Sequence, residues 1–122
     1  MDRVSFINIE EDDKDLIISF ALDEDGGLVR SLILHRTLFF ENLLPEEERG
    51  TKVSLEREEL GYEQHHLNTL EAFEFAGRTL RIKSRFGQYE IDARKLDSDE
   101  FKAIKQALDR QNYDNHFQIE FK

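Results

Sequence analysis

Two adjacent histidines, His65 and His66, are the side chains most suited to acid–base chemistry or metal binding in this sequence. They follow Tyr62 and Glu63 in residues 58–68, a stretch without a clean apolar period that is predicted to be the longest loop. Adjacent residues in extended structure point to opposite faces, so the two imidazoles do not readily share a metal ion. Glu63 and His65 can share a face, but two ligands are too few to define a metal site. We therefore expect no metal, no cofactor and no catalytic residue here, and these four side chains remain a candidate ligand pocket.

An acidic, glycine-containing turn invites comparison with a calcium-binding loop. Its residues are Asp23, Glu24, Asp25, Gly26 and Gly27. If Gly26 takes the invariant glycine position, Ala21 and Leu32 fall where a calcium loop requires an Asp and a bidentate Glu. The comparison fails, and paired glycines next to acidic residues predict a hairpin turn instead. The sequence also lacks a glycine-rich phosphate loop, a nucleophile elbow and a zinc-protease motif.

The net charge of −10 belongs entirely to the first half of the chain. Residues 1–63 contain 17 acidic and 7 basic side chains, whereas residues 64–122 contain 10 of each. Binding to a phosphate backbone needs a cationic surface that displaces counterions. We therefore expect no nucleic-acid partner.

Acidic clusters in that half predict a surface that attracts a basic protein. The candidate residues are Asp23, Glu24, Asp25, Glu46, Glu47 and Glu48. The leading hypothesis is a non-enzymatic protein-interaction module, and by analogy of charge and fold alone one form it can take is an immunity or antitoxin-like protein. Two alternatives stay open: a small-ligand-binding or enzymatic domain with its site around residues 60–68, and a curled sheet that binds lipid or peptide.

Length and composition predict a single domain over residues 1–122. The chain is 39% hydrophobic and has ten Phe and three Tyr residues, enough for one core. It has no cysteine, which excludes disulfides and cysteine-ligated metal sites. The first residues lack the features of a signal peptide, and the longest nearly apolar run, 16–22, is too short for a membrane helix. We expect a cytoplasmic protein without a membrane partner.

Alternating apolar residues predict three strands in the first half. They are Val4–Ile9, Asp15–Leu22 and Leu28–His35. In the predicted register Leu22 pairs with Leu28, which places Ile18 opposite Leu32.

The segment Thr37–Leu44 fits either a short helix or a buried extended segment. Pro45 then favours a helical turn over residues 46–48 that Gly50 ends, and Thr51–Arg57 returns to strand alternation.

Two hairpins are predicted in the second half, with turns at Gly77–Arg78 and Gly87–Gln88. The first turn pairs Phe75 with Leu80 and Glu74 with Arg81. The second turn pairs Lys83 with Asp92, Arg85 with Glu90 and Phe86 with Tyr89. Both registers place one apolar set inward, namely Phe73, Phe75, Leu80, Ile82, Phe86, Tyr89, Ile91 and Ala93.

A helix after these hairpins begins at an N-cap, Asp97, with Glu100 completing a capping box. It is predicted to end near Asn112 and to be followed by a strand, His116–Phe121, and if this strand joins the same sheet parallel to residues 88–94 the crossover should be right-handed. The predicted fold is α+β and predominantly antiparallel, with about seven to nine short strands, one helix packed on the sheet and a final strand.

Overall fold

The computed structural model describes residues 1–23, 27–58 and 60–122, and in this part of the chain eight strands and two α-helices are present. The strands are β1 (Asp2–Glu11), β2 (Asp15–Asp23), β3 (Val29–Thr37), β4 (Lys52–Leu55), β5 (Leu70–Ala76), β6 (Thr79–Ser84), β7 (Gln88–Asp92) and β8 (Gln118–Phe121). The helices are α1 (Tyr62–Leu67) and α2 (Ser98–Gln111). The predicted class is confirmed: the fold is α+β, mostly antiparallel, with one main helix and a final strand.

Both halves of the chain contribute to one sheet, in the order β4-β3-β2-β1-β7-β6-β5-β8. The halves meet where β1 runs parallel to β7, with Asp2 opposite Ile91. Because β1 occupies that edge of β7, the last strand does not pair with residues 88–94. Instead β8 runs parallel to β5, with Ile119 opposite Phe73.

The sheet curls strongly. Phe20 in β2 and Phe73 in β5 stack with ring centroids 6.3 Å apart, although β1, β7 and β6 lie between their strands. Four interstrand spacings separate β2 from β5, and in a flat sheet they would place these two strands about 19 Å apart. The curl also brings the start of β4 to the start of β5, where the Leu70 amide donates to the Thr51 carbonyl at 2.7 Å.

The concave face of the curled sheet carries the core, and α2 packs against it. Buried apolar side chains from the strands fill this space, including Val4, Ile18, Phe20, Leu32, Leu34, Val53, Phe73, Leu80, Ile82 and Ile91. From α2, Ile104, Ala107 and Leu108 face inward. Asp97 caps the helix by accepting from the Glu100 amide at 2.8 Å, and Asn112 ends it, so both predicted boundaries are confirmed.

The register of the first hairpin differs from the prediction. Asp23 pairs with Val29, Leu22 pairs with Arg30, and Ile18 lies opposite Leu34. The predicted pairs are wrong by two residues, which leaves each side chain on its predicted face because the period of a strand is two.

In the second half the turn at Gly77–Arg78 is confirmed, with Phe75 opposite Leu80 and Glu74 opposite Arg81. The turn at Gly87–Gln88 is wrong, since Lys83 pairs with Gln88 and the connection between β6 and β7 is longer. Arg81 therefore lies opposite Glu90, and the predicted pairs of Lys83 with Asp92 and Arg85 with Glu90 do not form.

Phe86 lies in this connection and is exposed, so its predicted inward position is also wrong. The other members of the predicted inward set lie on the concave side.

Two irregular segments differ from their predictions. Residues 62–67, predicted as loop, form α1. The alternative of a buried extended segment for residues 37–44 is wrong, because this segment leaves the sheet and forms a tight 3₁₀ turn, Glu41–Leu43. A second 3₁₀ turn, Glu46–Glu48, follows Pro45 as predicted.

Candidate interaction surface

Three apolar side chains project from the segment after β3. Phe39 is 65% exposed, Phe40 52% and Leu43 79%, and we call these three residues the apolar tip. The two phenyl rings contact edge to face, with centroids 4.8 Å apart. A contiguous group of exposed apolar side chains marks an interaction surface more often than isolated ones do.

The local backbone explains why these side chains point outward. The Leu38 amide donates to the Lys14 carbonyl at 2.7 Å, which fixes the exit from β3 against the turn between β1 and β2. The Leu43 and Leu44 amides then donate to Phe40 and Glu41 carbonyls at 3.0 Å each. In this tight turn Glu41 is buried, so its neighbours face solvent.

A buried arginine anchors the turn, and it uses all five of its N–H donors. Arg36 is fully buried and bonds the Glu41 carboxylate twice, at 2.9 Å and 2.6 Å. It donates to both Asp114 oxygens at 2.8 Å and to the Gln111 carbonyl at 2.6 Å. Its guanidinium carbon also lies 4.2 Å from the centroid of the Tyr113 ring. We call Arg36, Glu41 and Asp114 the arginine clamp.

The charges of the clamp compensate each other. Burial by itself would lower the pKa of Arg36, but its hydrogen bonds to Asp114 and Glu41 raise that pKa above the ordinary value. Burial opposes ionisation of Glu41, yet the bonds and charge of Arg36 lower its pKa. The same arginine lowers the pKa of Asp114 to about 2. Bidentate arginine–carboxylate pairs have fixed geometry, so the clamp holds the turn in one position.

A second buried polar side chain secures the end of α2 beside the clamp. The Gln111 side-chain amide donates to the carbonyls of Leu16 at 3.0 Å and Leu34 at 3.1 Å, and its oxygen accepts from the Thr51 hydroxyl at 3.3 Å. These bonds join α2 to β2, to β3 and to the residue before β4. The apolar tip is therefore mounted on a rigid base.

Exposed acidic side chains lie in the two turns that adjoin the apolar tip. Glu46 and Glu47, from the second 3₁₀ turn, are exposed, and so are Asp12 and Asp13 in the turn that bonds to residue 38. We call these four residues the acidic rim. The nearby Arg49 donates to the carbonyl of Leu44 at 3.1 Å and so supports the segment. An apolar centre within a charged border is the usual composition of a binding surface.

The structure does not bring the two predicted acidic clusters together. Asp23 ends β2 at the opposite end of the hairpin from Thr37, about 25–30 Å away along the strands. There it approaches Lys95 at 3.3 Å. Glu24 and Asp25 lie outside the described residues. Glu48 is half-buried and lies 3.9 Å from His66, whereas Glu46 and Glu47 are exposed in the turn that follows the tip.

The structure describes the side chains of two of the four residues in the predicted alternative pocket. His65 and His66 lie on α1 and line a cavity of about 280 Å³ together with Ile33, His35, Lys52, Val53 and Ser54. The two imidazole rings are 6.2 Å apart and nearly perpendicular. The side chains of Tyr62 and Glu63 lie outside the described residues. Within the described part of the chain, no group of three or more His, Cys, Asp or Glu side chains is placed to hold a metal ion.

Sequence reasoning missed the arginine clamp and the outward direction of the tip. One signal was present in the sequence. Arg36 continues the alternation of the inward-facing Leu32 and Leu34 in β3, which places an arginine on the buried face of the strand. Its partners at 111 and 114 are distant in the chain and only the tertiary fold brings them close.

Comparisons of the chain with protein families, with curated proteins and with solved structures found no match. None of the helices in the described residues combines the length and apolar character needed to cross a membrane.

Proposed function

We propose that the chain is a non-enzymatic, cytoplasmic protein-interaction module whose working surface is the apolar tip with its acidic rim. The exposure of Phe39, Phe40 and Leu43 on a rigid base is the observation that carries the proposal. Exposed aromatic side chains held in one conformation lose little entropy on binding, and such residues often dominate interface energies.

The apolar and acidic side chains of this surface indicate the kind of partner that would bind it. The tip is apolar and exposed, so we expect the partner to present an apolar surface to it, and the acidic rim favours cationic side chains around that surface. The same negative charge disfavours nucleic acid, since phosphates would meet Glu46, Glu47, Asp12 and Asp13. An immunity or antitoxin-like protein that covers a basic site is one form of such a module.

Capture from an extract of the source cells at low salt tests the proposal. The baits are the wild type, Leu43→Asp, and the double variant Glu46→Lys/Glu47→Lys. A second double variant, Glu56→Lys/Glu71→Lys, makes the same charge change at exposed positions away from the tip and is the control. We expect a protein with a basic contact surface to bind the wild type and the control, to be lost from both tip variants, and to dissociate as salt screens the charges.

The proposal fails if nothing is captured at low salt, or if the tip variants capture the same protein as the wild type. All of these substitutions are at exposed or half-exposed side chains, so unfolding of the bait does not explain a loss.

A small-ligand site is the second candidate, because the cavity beside α1 is lined by His65 and His66. The ammonium of Lys52 and the N–H groups of the imidazoles would favour a small anion such as phosphate. Phosphate should then raise the melting temperature of the wild type by mass action but not that of His65→Ala/His66→Ala. Equal melting temperatures of the wild type with and without phosphate would remove this anion from consideration.

A further inference from the structure

A shallow apolar groove lies between the first half of α2 and the β5–β8 edge of the sheet. Phe75, Phe101 and Phe121 form its floor, and Lys102 and Lys105 stand beside it. Phe121 is 64% exposed, and its ring stacks on Phe75 with centroids 5.1 Å apart and planes at 9°. The hollow encloses about 440 Å³, within the range of roughly 300–1,000 Å³ typical of ligand pockets.

The charges at this groove are positive, in contrast to the chain as a whole. The ammonium of Lys105 lies 5.8 Å from the Phe121 ring centroid, and the guanidinium of Arg78 lies 5.6 Å from that of Phe101. Lys105 also bonds Asp109 at 2.6 Å, whereas Lys102 makes no ion pair with any described residue. The groove thus presents apolar side chains with a cationic border.

This combination is the complement of the apolar tip and its acidic rim. A second cationic hollow, lined by Arg3, Asp92, Arg94 and Lys95, has no apolar side chain and does not match the tip. The tip cannot fill the groove of its own molecule, because the clamp holds it at the C-terminal end of α2. Phe101 and Gln111 are ten residues apart, about 15 Å along the helix axis.

We propose that the groove of a second copy of this chain binds the apolar tip, with Lys102 and Lys105 close to Glu46 and Glu47. This inference rests on the proposed function, since it names the partner of the same tip. The two contacting surfaces are different, so the contact is heterologous, and repeating it produces a closed ring or an open chain of copies.

Sedimentation or light scattering of the purified chain over a range of concentrations tests the inference. Leu43→Asp places a charge in the tip, and Phe121→Asp places one in the apolar floor of the groove. Leu28→Asp is the matched control, because Leu28 is 61% exposed and undergoes the same change away from both surfaces. Circular dichroism of each variant confirms that it is folded.

We expect the average mass of the wild type and of Leu28→Asp to rise with concentration, while Leu43→Asp and Phe121→Asp each remain monomers. A mixture of those two variants should form a 1:1 dimer and nothing larger, because the intact tip of one fits the intact groove of the other and the remaining surfaces are defective. Lys102→Glu should weaken assembly of the wild type, whereas Lys83→Glu, on the opposite face of the sheet, should not.

A wild type that stays monomeric up to about 1 mM would overturn the inference, since any Kd would then exceed that concentration. Assembly of Phe121→Asp or of Leu43→Asp at the wild-type level would also overturn it, and so would a mixture that stays monomeric while the wild type assembles. None of these results decides the proposed function, which depends on capture by the tip and does not involve Phe121 or Lys102.

Discussion

Replacing Arg36 with methionine is expected to destabilise the protein more than any change at the apolar tip. The substitution removes every guanidinium donor while keeping an apolar stem of similar length. Glu41, with 10% of its side chain exposed, is then left with weaker donors, the Gly50 amide at 3.4 Å and the Tyr113 hydroxyl at 3.2 Å. Asp114 is 40% exposed and water replaces its lost bonds.

The magnitude follows mainly from Glu41. Removing one partner of a buried ion pair costs about 3–5 kcal/mol, because the other charge stays buried without compensation. The exposed Asp114 adds little, since solvent screens its interaction. Against a typical free energy of unfolding of about 5–15 kcal/mol this is a large fraction, and it corresponds to a fall in melting temperature of about 10–20 °C.

Urea denaturation followed by circular dichroism measures the change. The double variant Arg36→Met/Glu41→Leu should recover much of the loss, because it leaves no buried charge at this position. The deficit of Arg36→Met should also shrink as pH falls towards 4, since burial without Arg36 raises the pKa of Glu41 and protonation relieves the penalty. A single variant within about 1 kcal/mol of the wild type, or a double variant no more stable than the single one, would refute this account of the clamp.

Three further predictions use the same denaturation assay. Asp97→Ala should lower the free energy of unfolding by about 1 kcal/mol, because the α2 N-cap is lost, and an unchanged value would contradict its role. Gly50→Ala should cost more than about 1 kcal/mol, since Gly50 has φ +108° and an added Cβ would lie 2.5 Å from the His116 ring; wild-type stability would show that the segment adapts freely. The lowered pKa of Asp114 contributes stability that is complete above its ordinary value of 3.8 and is lost as pH falls through about 2. Asp114→Asn should therefore flatten the acid side of the stability profile, and equal slopes for variant and wild type would contradict this.

Local signals in the sequence were sufficient for α2 and for the β5–β6 hairpin. The capping box at Asp97 and the two-residue turn after Ala76 each depend on residues close in the chain. The predicted registers of β2 with β3 and of β6 with β7 differ from the observed ones by an even number of residues. Alternation determines which face a side chain takes, but the length of the connection decides which residues pair.

The candidate surface depends on contacts that are distant in the chain, which the sequence alone does not reveal. The apolar residues of 37–44 fitted either a short helix or a buried extended segment, and the structure exposes Phe39, Phe40 and Leu43. The cause is Arg36, which takes the core position and binds the carbonyl of Gln111, 75 residues away. The direction of this segment is therefore determined by the tertiary position of one charged side chain.

Site-specific photo-crosslinking tests the central claim, that the apolar tip is the surface through which this protein binds a partner. A photoreactive side chain is placed at position 43 in the tip and, as a control, at position 28, where Leu28 is similarly exposed. Each protein is irradiated in low-salt extract of the source cells. We expect a protein adduct from position 43, either with a second copy or with another partner whose contact surface is basic, and none from position 28. No adduct from position 43, or the same adducts from both positions, would contradict it.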